Sequence, residues 1–435
     1  MDVPFVKQTL DNGLDVIVHE DHGCPIVAVN IWYHVGSKNE RPGRTGFAHL
    51  FEHLMFEGSE HHDRGYFHPL QQAGAAVNGS TNADRTNYWE VVPTNALELA
   101  LWMESDRMGY LLPALTPEKF EHQRDVVLNE RRQSYENRPY GMVGMATMAA
   151  LYPPDHPYHW TTIGSAADLR AAEYDDIRSF FRMFYHPGNA SLTLAGDIEA
   201  SEGIALAKRY FEDIPAGAPV SRVTVEESTL PADTRLVLED RVERPRLYLA
   251  WHAPRLFAPG DAELDVLADV LSNGKASRLY KTLVQELRIA TDVSATQWSR
   301  ELSGVFQIVA TAAPGRVLAE LDEVITAELG RLQAEGPTLV ELERSLAQVE
   351  AHFVYRLQTV GGFGGKSDQL NGYNMVVADP GYFDTDLARY CDVTADGVRG
   401  VVGRHLTRAR RVAVSAVPRG SAHVALPGSV GAMVS

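Results

Sequence analysis

The chain has 435 residues, of which 45% are hydrophobic and 22% are charged, and its formal net charge is −17. This length exceeds one ordinary hydrophobic core, so a globular protein of more than one domain is expected. The negative charge argues against nucleic acid as a partner, two cysteines are too few for a disulfide framework, and no apolar run is long enough to span a membrane.

The first half of the chain begins with strand patterns and continues with helix patterns. Alternating apolar residues predict strands, whereas Gly46 to Phe56 switches to helical spacing, and further helices follow from Thr94 onward, including one over 167–184. Thr116-Pro117 is a favourable helix start. The predicted strands of this half are LDVIVHE (14–20), PIVAVNIWYHVGS (25–37), AAVNGST (75–81), TNYWEVV (86–92) and ASLTLAGD (190–197).

The second half repeats the order of elements of the first. A stretch rich in Pro, Ala, Ser and Thr precedes it, and a shift of 216 residues, which places Gly58 on Gly274, keeps neighbouring elements in step. We therefore predict an α+β fold of two homologous repeats, each a mixed or antiparallel sheet flanked by helices, together forming half of a clamshell. The predicted domains are 1–215, a linker at 216–233, and 234–435.

The stretch HLFEHLMFEGSE (49–60) places His49, Glu52 and His53 on one turn of a predicted helix. Residues i, i+3 and i+4 share a helix face, so both imidazoles can bind the same ion with the carboxylate beside them. The shift of 216 residues places Asp265, Ala268 and Asp269 at these positions. The second repeat thus keeps the helix without the imidazoles, so packing does not require them.

A zinc ion with an open position for water takes three protein ligands, so a third must come from another element. The best candidate is Glu130 in FEHQRDVVLNERRQ, because Val126 and Val127 place it on the buried face of its helix, where a carboxylate without a cation is costly. Gln123 lies on the same face and could hydrogen-bond the Glu130 carboxylate. Glu52 would then accept a proton from the water and pass it to the leaving amine.

Several sequence blocks together resemble the pitrilysin/insulinase-like zinc peptidases, the inverted zincins of family M16. They are GFAHLFEHLMFEGS, ADRTNY, ALWMESDRM, RDVVLNERRQSYENRPYG and FYHPGNASLTLAGD. The chain looks most similar to the bacterial subunits related to the mitochondrial processing peptidase. The resemblance implies a zinc endopeptidase with His49, His53 and Glu130 as ligands and Glu52 as general base. It makes 1–215 the catalytic domain and 234–435 a homologous domain without metal.

The stretch VNGSTNADRTNY (77–88) is strand-like and polar, and could accept a peptide substrate as an added strand at an open sheet edge. In the family that it resembles, the matching strand holds substrate, with Asn82 and Ala83 near the scissile bond. An ordinary hairpin, in which Asn and Gly make the turn, explains the same residues equally well. Many family members also carry a glutamate at the position of Gln123, so local charge and pH dependence are expected to differ here.

Family members that act as one full-length chain usually carry an Arg and, seven residues later, a Tyr that brace the substrate carbonyl. In LYKTLVQELRIATDVSA these positions hold Val284 and Thr291, with Tyr280 and Arg288 out of register. We therefore expect a homologous partner subunit to supply the pair, or otherwise a homodimer. The N-terminal residues lack a signal-peptide pattern, which favours the cytoplasm, or the periplasm if a leader has been removed.

Two further interpretations stay open. A non-catalytic structural or substrate-presenting subunit of the same fold is the main alternative to the endopeptidase, and another zinc hydrolase, such as an amidase, is a third class. The segment GGFGGKSDQ (361–369) resembles a phosphate-binding loop, but position 360 is Val and the glycine spacing is one short. A flexible glycine segment, as a substrate-side loop or hinge, fits it better.

Overall fold

The computed structural model describes residues 3–434, and the strands within this range are, in chain order, β1 Val6–Thr9, β2 Asp15–Glu20, β3 Ile26–Tyr33, β4 Ala76–Thr81, β5 Thr86–Pro93, β6 Ala190–Gly196, β7 Thr234–Asp240, β8 Arg246–Ala253, β9 Ala290–Trp298, β10 Gly304–Ala312, β11 Val412–Pro418 and β12 Val430–Gly431. The α-helices are α1 Phe47–Leu54, α2 Phe67–Gln72, α3 Leu97–Ala114, α4 Pro117–Arg131, α5 Val143–Leu151, α6 Ala166–Ala171, α7 Tyr174–Phe184, α8 Ala200–Phe211, α9 Asp261–Ser272, α10 Leu318–Glu335, α11 Leu339–Arg356, α12 Lys366–Val377, α13 Phe383–Cys391 and α14 Ala395–His405.

Two mixed six-stranded sheets repeat one topology. The first sheet has the order β1-β2-β6-β3-β5-β4 and the second has β12-β7-β11-β8-β10-β9. Without the outer strands β1 and β12, both sheets have the same order, and in both the first and last strands of the repeat pair in parallel. The predicted α+β fold of two homologous repeats is therefore confirmed.

The two compact units of the structure are not contiguous along the chain. Unit 1 holds the residues up to Asn129 together with Thr161–Val223 and His352–Thr385, and unit 2 holds Glu130–Trp160, Thr224–Ala351 and the residues from Asp386. The units differ from the contiguous domains 1–215 and 234–435, because α12 lies on β3 and β6 of the first sheet and α5 lies on β8 and β11 of the second. The chain passes between the units five times, and one of these passages, at Val223 and Thr224, lies inside the predicted linker.

Helix α12 is attached to the first sheet through buried polar side chains. Trp32 Nε1 and Asn87 Nδ2 donate to one carboxylate oxygen of Asp368 at 2.9 and 3.0 Å, and Asn371 Nδ2 donates to the Asn30 carbonyl at 2.8 Å. A Cβ atom on Gly361 would lie 2.6 Å from side-chain atoms of the sheet. The glycine segment before α12 is thus packed against this sheet, and neither a strand nor a phosphate-loop geometry precedes the helix.

One predicted helix is two in the structure. The interval 167–184 contains α6 and α7, separated at Ala172 and Glu173. Glu173 has extended backbone dihedrals and its N–H donates to the Asp176 carboxylate at 3.3 Å, which starts a new helix there. Among residues 3–434, no helix is both long and apolar enough to cross a bilayer.

Candidate metal centre

The first turn of α1 is held in place by a carboxylate and a close contact. The N–H groups of Gly46 and Ala48 donate to the two oxygens of Glu40 at 2.9 and 2.8 Å, which satisfies donors that a helix start leaves unpaired and suits the helix dipole. Gly46 has φ 90°, and a Cβ there would lie 2.9 Å from the Ile163 carbonyl oxygen. Only glycine fits this position, so the start of α1 is defined.

Helix α1 presents one apolar face and one polar face. Its buried face includes Leu50 and Phe51, and the Phe51 ring lies 5.7 Å from Phe180 and 5.2 Å from Tyr185. The residues His49, Glu52 and His53 are each partly exposed. The two imidazole rings meet edge to face with 4.9 Å between their centroids. Core packing therefore orients the helix so that both histidines lie on the same side.

The structure brings the predicted third ligand to these histidines. Ligand atoms of His49, His53 and Glu130 all lie within 4.8 Å of one another, and the three residues are partly buried. Glu130 is the penultimate residue of α4, a single helix through which the boundary between the two units passes. Two imidazoles and one carboxylate form the donor set of many catalytic zinc sites, which leave a fourth position open. That these residues bind zinc stays a prediction.

Glu52 lies among buried aromatic and cationic groups. Burial raises the pKa of Tyr88 and Tyr185, and the Glu52 charge raises both further. Burial lowers the pKa of Arg85, which the negative charges of Asp368 and Glu52 oppose. The Arg85 guanidinium is therefore close enough to Glu52 for their charges to attract each other. The sequence pattern does not predict this role of Arg85, although the residue stands in the block ADRTNY.

Arg85 also braces the hairpin of β4 and β5. Its Nη1 donates to the Ser80 carbonyl at 2.9 Å and to Ser80 Oγ at 2.6 Å, and its guanidinium carbon lies 5.0 Å from the centre of the Trp32 ring. It thus connects the last residues of β4 to the sheet beside Glu52. Only a three-dimensional arrangement reveals this role, because Trp32 is distant along the sequence.

Gln123 has a hydrogen-bond partner that the sequence did not predict. Its side-chain amide donates to the Glu57 carboxylate. Glu57 follows α1 in the chain, so the contact ties α4 to the segment after the histidine helix. That Gln123 also hydrogen-bonds Glu130 stays a prediction.

Asn82 and Ala83, the predicted substrate contacts, lie in the turn between β4 and β5. Their carbonyl groups accept hydrogen bonds from the N–H groups of Ser37 and Lys38 at 3.2 and 2.9 Å. Asn82 Oδ1 accepts from the N–H of Asp84 at 2.7 Å, which closes the turn. Within the described range β4 pairs with β5 alone, so its other edge is the one at which a strand could be added.

A buried network of charged residues packs against strand β5 of this hairpin. Arg107, 1% exposed, donates to the Glu104 carboxylate, and its guanidinium carbon lies 4.0 Å from the Tyr66 ring centre and 4.1 Å from that of Tyr88. Tyr66 in turn donates to Glu90 at 2.8 Å. Burial and the nearby Glu104 charge raise the pKa of Glu90 well above its usual range. The block ALWMESDRM contains Arg107 and Glu104, but gave no signal that Glu90 would join them.

The second repeat has no comparable histidine pair at the positions given by the sequence shift. Asp265 accepts a hydrogen bond from the Tyr390 hydroxyl at 2.7 Å, and burial raises its pKa to about 7. Asp269 accepts from Ser345 Oγ. Val284 packs against the core of unit 2, and Thr291 donates to the Thr311 carbonyl at 3.4 Å. These side chains are therefore engaged within their own unit.

Comparisons with known proteins agree with this architecture. Residues 15–155 match the family described as Insulinase (Peptidase family M16), and residues 171–349 match the Peptidase M16 inactive domain. A Helicobacter pylori protein named zinc protease PqqE is 29% identical over 364 residues, covering 81% of this chain and 80% of that protein. The crystal structure of a protease from Helicobacter pylori has a TM-score of 0.86 at 25% identity, covering 96% of this chain and 100% of that one.

The duplicated sheets and the helix with the sequence H-x-x-E-H define a peptidase-type fold, and the two family matches cover consecutive parts of it. The chain belongs to peptidase family M16, as the resemblance implied. The description of an inactive domain applies to 171–349, whereas His49, Glu52, His53 and Glu130 all fall within 15–155. The part matched by the inactive domain thus contains none of the candidate metal-centre residues.

Proposed function

We propose that this chain is a zinc-dependent endopeptidase that hydrolyses peptides or unfolded polypeptide segments. The observation that carries the proposal is the meeting of His49, His53 and Glu130 ligand atoms within 4.8 Å, with Glu52 on the same helix as both histidines. The pattern is that of the inverted zincins. Relatives named as zinc proteases, among them one from Bacillus subtilis at 24% identity over 84% of this chain, support the same function.

The residues fit a zinc ion. Imidazole nitrogen and carboxylate oxygen are ligands that zinc favours, and the ligand atoms of the three residues lie within 4.8 Å of one another. Zinc, when bound, would supply a Lewis acid that acidifies water and polarises the substrate carbonyl. His49 and His53 would be held by α1, whose start is defined by Glu40 and Gly46, and Glu130 by α4.

Glu52 would carry the proton during hydrolysis. Glu52 lies between the two histidines in sequence, three residues after His49 and directly before His53. Its carboxylate can take a proton from the attacking water and later deliver it to the leaving amine. Arg85 places a positive charge near it. Asn82 and Ala83 would contribute by shaping the turn that follows β4, since their carbonyl groups already accept hydrogen bonds from 37 and 38.

The free edge of β4 would hold the substrate. An added strand would bond to backbone groups of β4 and turn alternate side chains to the two faces of the sheet. On one face Gly79 lies close to Tyr88 and Phe56, where a Cβ would lie 2.9 Å from the nearest ring carbon. Tyr88 donates to the carbonyl of Phe51 in α1 at 3.4 Å, so this face is the one next to the histidine helix.

Replacing Glu130 by Gln is expected to remove both zinc and activity, because the amide lacks the negative charge of the third ligand. The measurements are the zinc content of the purified chain and the cleavage of an internally quenched peptide. We expect about one zinc per chain in the wild type and a loss of at least about tenfold in zinc affinity in the variant. Glu121→Gln, on an exposed position of α4, is the matched control and should change neither.

Two outcomes would argue against the proposal. Retention of tightly bound zinc by Glu130→Gln would show that the carboxylate is not a ligand. A wild-type chain that binds zinc but cleaves no peptide, alone or with homologous subunits, would favour the structural or substrate-presenting subunit instead.

We further propose that a homologous subunit supplies the Arg and Tyr that positions 284 and 291 lack. The purified chain alone is then expected to cleave slowly, and addition of a homologous subunit that carries Arg and Tyr seven residues apart should raise kcat. The same subunit with its Arg changed to Ala is the control and should stimulate less. Equal rates for the chain alone and for every mixture would contradict the proposal and favour a self-sufficient chain or a homodimer.

A further inference from the structure

Unit 2 contains a cavity of about 390 Å³ whose wall includes three histidines. The residues His156, His252 and His405 come from the loop after α5, from β8 and from the end of α14. They converge with Glu227 of the interdomain segment and with Arg255. The volume falls in the range of small-molecule sites, which is about 300–1,000 Å³. None of these residues belongs to the candidate metal centre.

His156 offers a buried hydrogen-bond donor to this cavity. The residue is 5% exposed, and its Nδ1 accepts a hydrogen bond from the N–H of Tyr158 at 3.0 Å. Nδ1 is therefore unprotonated in the neutral ring, and Nε2 carries the proton. Nε2 is buried and has no hydrogen-bond partner in the described part of the chain. A buried donor of this kind is costly, so a ligand acceptor or a water molecule is needed there.

His252 lies beside it with both ring nitrogens buried. The backbone carbonyl of Leu151 faces one of them and opposes the lowering of the ring's pKa by burial, so this carbonyl takes the single proton of the neutral ring. The other nitrogen can then accept a hydrogen bond but cannot donate one. The His156 ring stacks on the Tyr152 ring and the His252 ring meets it edge to face, with centroid distances of 4.4 and 4.8 Å. Burial lowers the pKa of His156 to about 4 and lowers that of His252, so both rings are neutral at pH 7.

The charged residues of the cavity have both signs, two carboxylates and one guanidinium. Glu226, Glu227 and Arg255 are exposed, and none of them forms an ion pair with another described residue. Burial lowers the pKa of both His252 and His405, and the Glu227 charge opposes this lowering, so its carboxylate is close to these rings. A dianion such as phosphate would be repelled by the two carboxylates, whereas a molecule with both charges could satisfy Glu227 and Arg255 together.

A metal ion fits this cavity less well. His156 Nε2 bears the proton that a metal would have to replace, and the Tyr158 N–H prevents the proton from moving to Nδ1. In the part of the chain that the structure describes, the groups of ligand atoms close enough for one metal ion do not include these histidines. Apolar side chains, Val225, Pro254 and Leu302 among them, complete the lining.

We propose that this cavity binds a small zwitterion, namely a free amino acid with an apolar side chain. Its carboxylate would accept a hydrogen bond from His156 and face Arg255, and its ammonium group would face Glu227 and the unprotonated nitrogen of His252. The apolar side chain would contact the aliphatic lining. This site is distinct from the candidate metal centre and does not depend on the peptidase activity.

The test is calorimetric titration of the full chain near neutral pH with free L-leucine. We expect saturable binding of one leucine per chain, and about tenfold weaker binding of leucinamide, which lacks the carboxylate, and of 4-methylpentanoate, which lacks the ammonium group. His252→Phe, which keeps a ring against Tyr152 but removes both nitrogens, should weaken leucine binding by about tenfold or more. Arg255→Gln should weaken it as well, and this exposed position is a second test if His252→Phe does not fold.

Two controls separate this cavity from other sites. His423→Phe, at an exposed histidine of the same unit, should bind leucine like the wild type. Glu130→Gln should also retain leucine binding, because the metal centre is not involved. The proposal is overturned if leucine shows no saturable binding with a dissociation constant below about 1 mM. It is also overturned if leucinamide or inorganic phosphate binds as tightly as leucine, or if His252→Phe and Arg255→Gln leave the affinity for leucine unchanged.

Discussion

Replacing Glu52 by Gln is expected to reduce kcat for peptide hydrolysis by about 10²–10⁴-fold while leaving zinc bound. The amide has nearly the same shape as the carboxylate but cannot accept the proton of the attacking water. The proposed ligands His49, His53 and Glu130 are unchanged, so the zinc content should remain that of the wild type. The measurements are kcat and KM with a quenched peptide, together with zinc per chain in the same preparation.

The matched control for this variant is Glu60→Gln. Glu60 lies shortly after the end of the same helix and is exposed. Its backbone N–H donates a hydrogen bond to the Tyr110 carbonyl, a contact that does not involve the side chain. It should retain full activity and zinc. If Glu52→Gln hydrolyses the peptide at the wild-type rate, Glu52 is not the general base. If it loses zinc as well as activity, its effect is on the metal centre as a whole.

Replacing Arg107 by Met is expected to destabilise the chain by about 3–5 kcal/mol, the range for removing one partner of a buried ion pair. Arg107 is 1% exposed, and the carboxylates of Glu104 and Glu90 beside it are both fully buried. Without the guanidinium, a negative charge would stay in the interior with no compensating cation, and the contacts with the Tyr66 and Tyr88 rings would also be lost. The measurement is the denaturant midpoint and slope of the unfolding transition.

Arg209→Ala is the matched control for the Arg107 prediction. Arg209 pairs with Glu98 at 3.0 Å, but the two side chains are 66% and 56% exposed, so the change should cost no more than about 1 kcal/mol. The double change Arg107→Met with Glu104→Met should recover part of the stability, since it removes the unpaired charge as well as the cation. A loss below about 1 kcal/mol for Arg107→Met alone would show that the network is not held by its charge.

The sequence alone determined most of the local structure and the helical part of the candidate site. Strands β2 to β6 lie where alternating apolar residues predicted them, because burial of one or both sheet faces imposes a period on the residues themselves. The spacing of His49, Glu52 and His53 likewise follows from helix geometry. The repeat was recognisable for the same reason, since both halves preserve the order of these periods, and the identical strand order of the two sheets confirms it.

The tertiary structure decided which distant groups meet. It places α5 on the sheet of the second half and α12 on the sheet of the first, and it makes Glu57 a hydrogen-bond acceptor of Gln123. It also pairs the carbonyl groups of Asn82 and Ala83 with backbone N–H groups, and it brings His156 and His252 into contact with Tyr152. Each of these outcomes depends on the relative position of elements far apart along the chain. Periodicity specifies which face of an element is buried, but it does not specify which other element covers that face or which side chain there supplies the hydrogen bond.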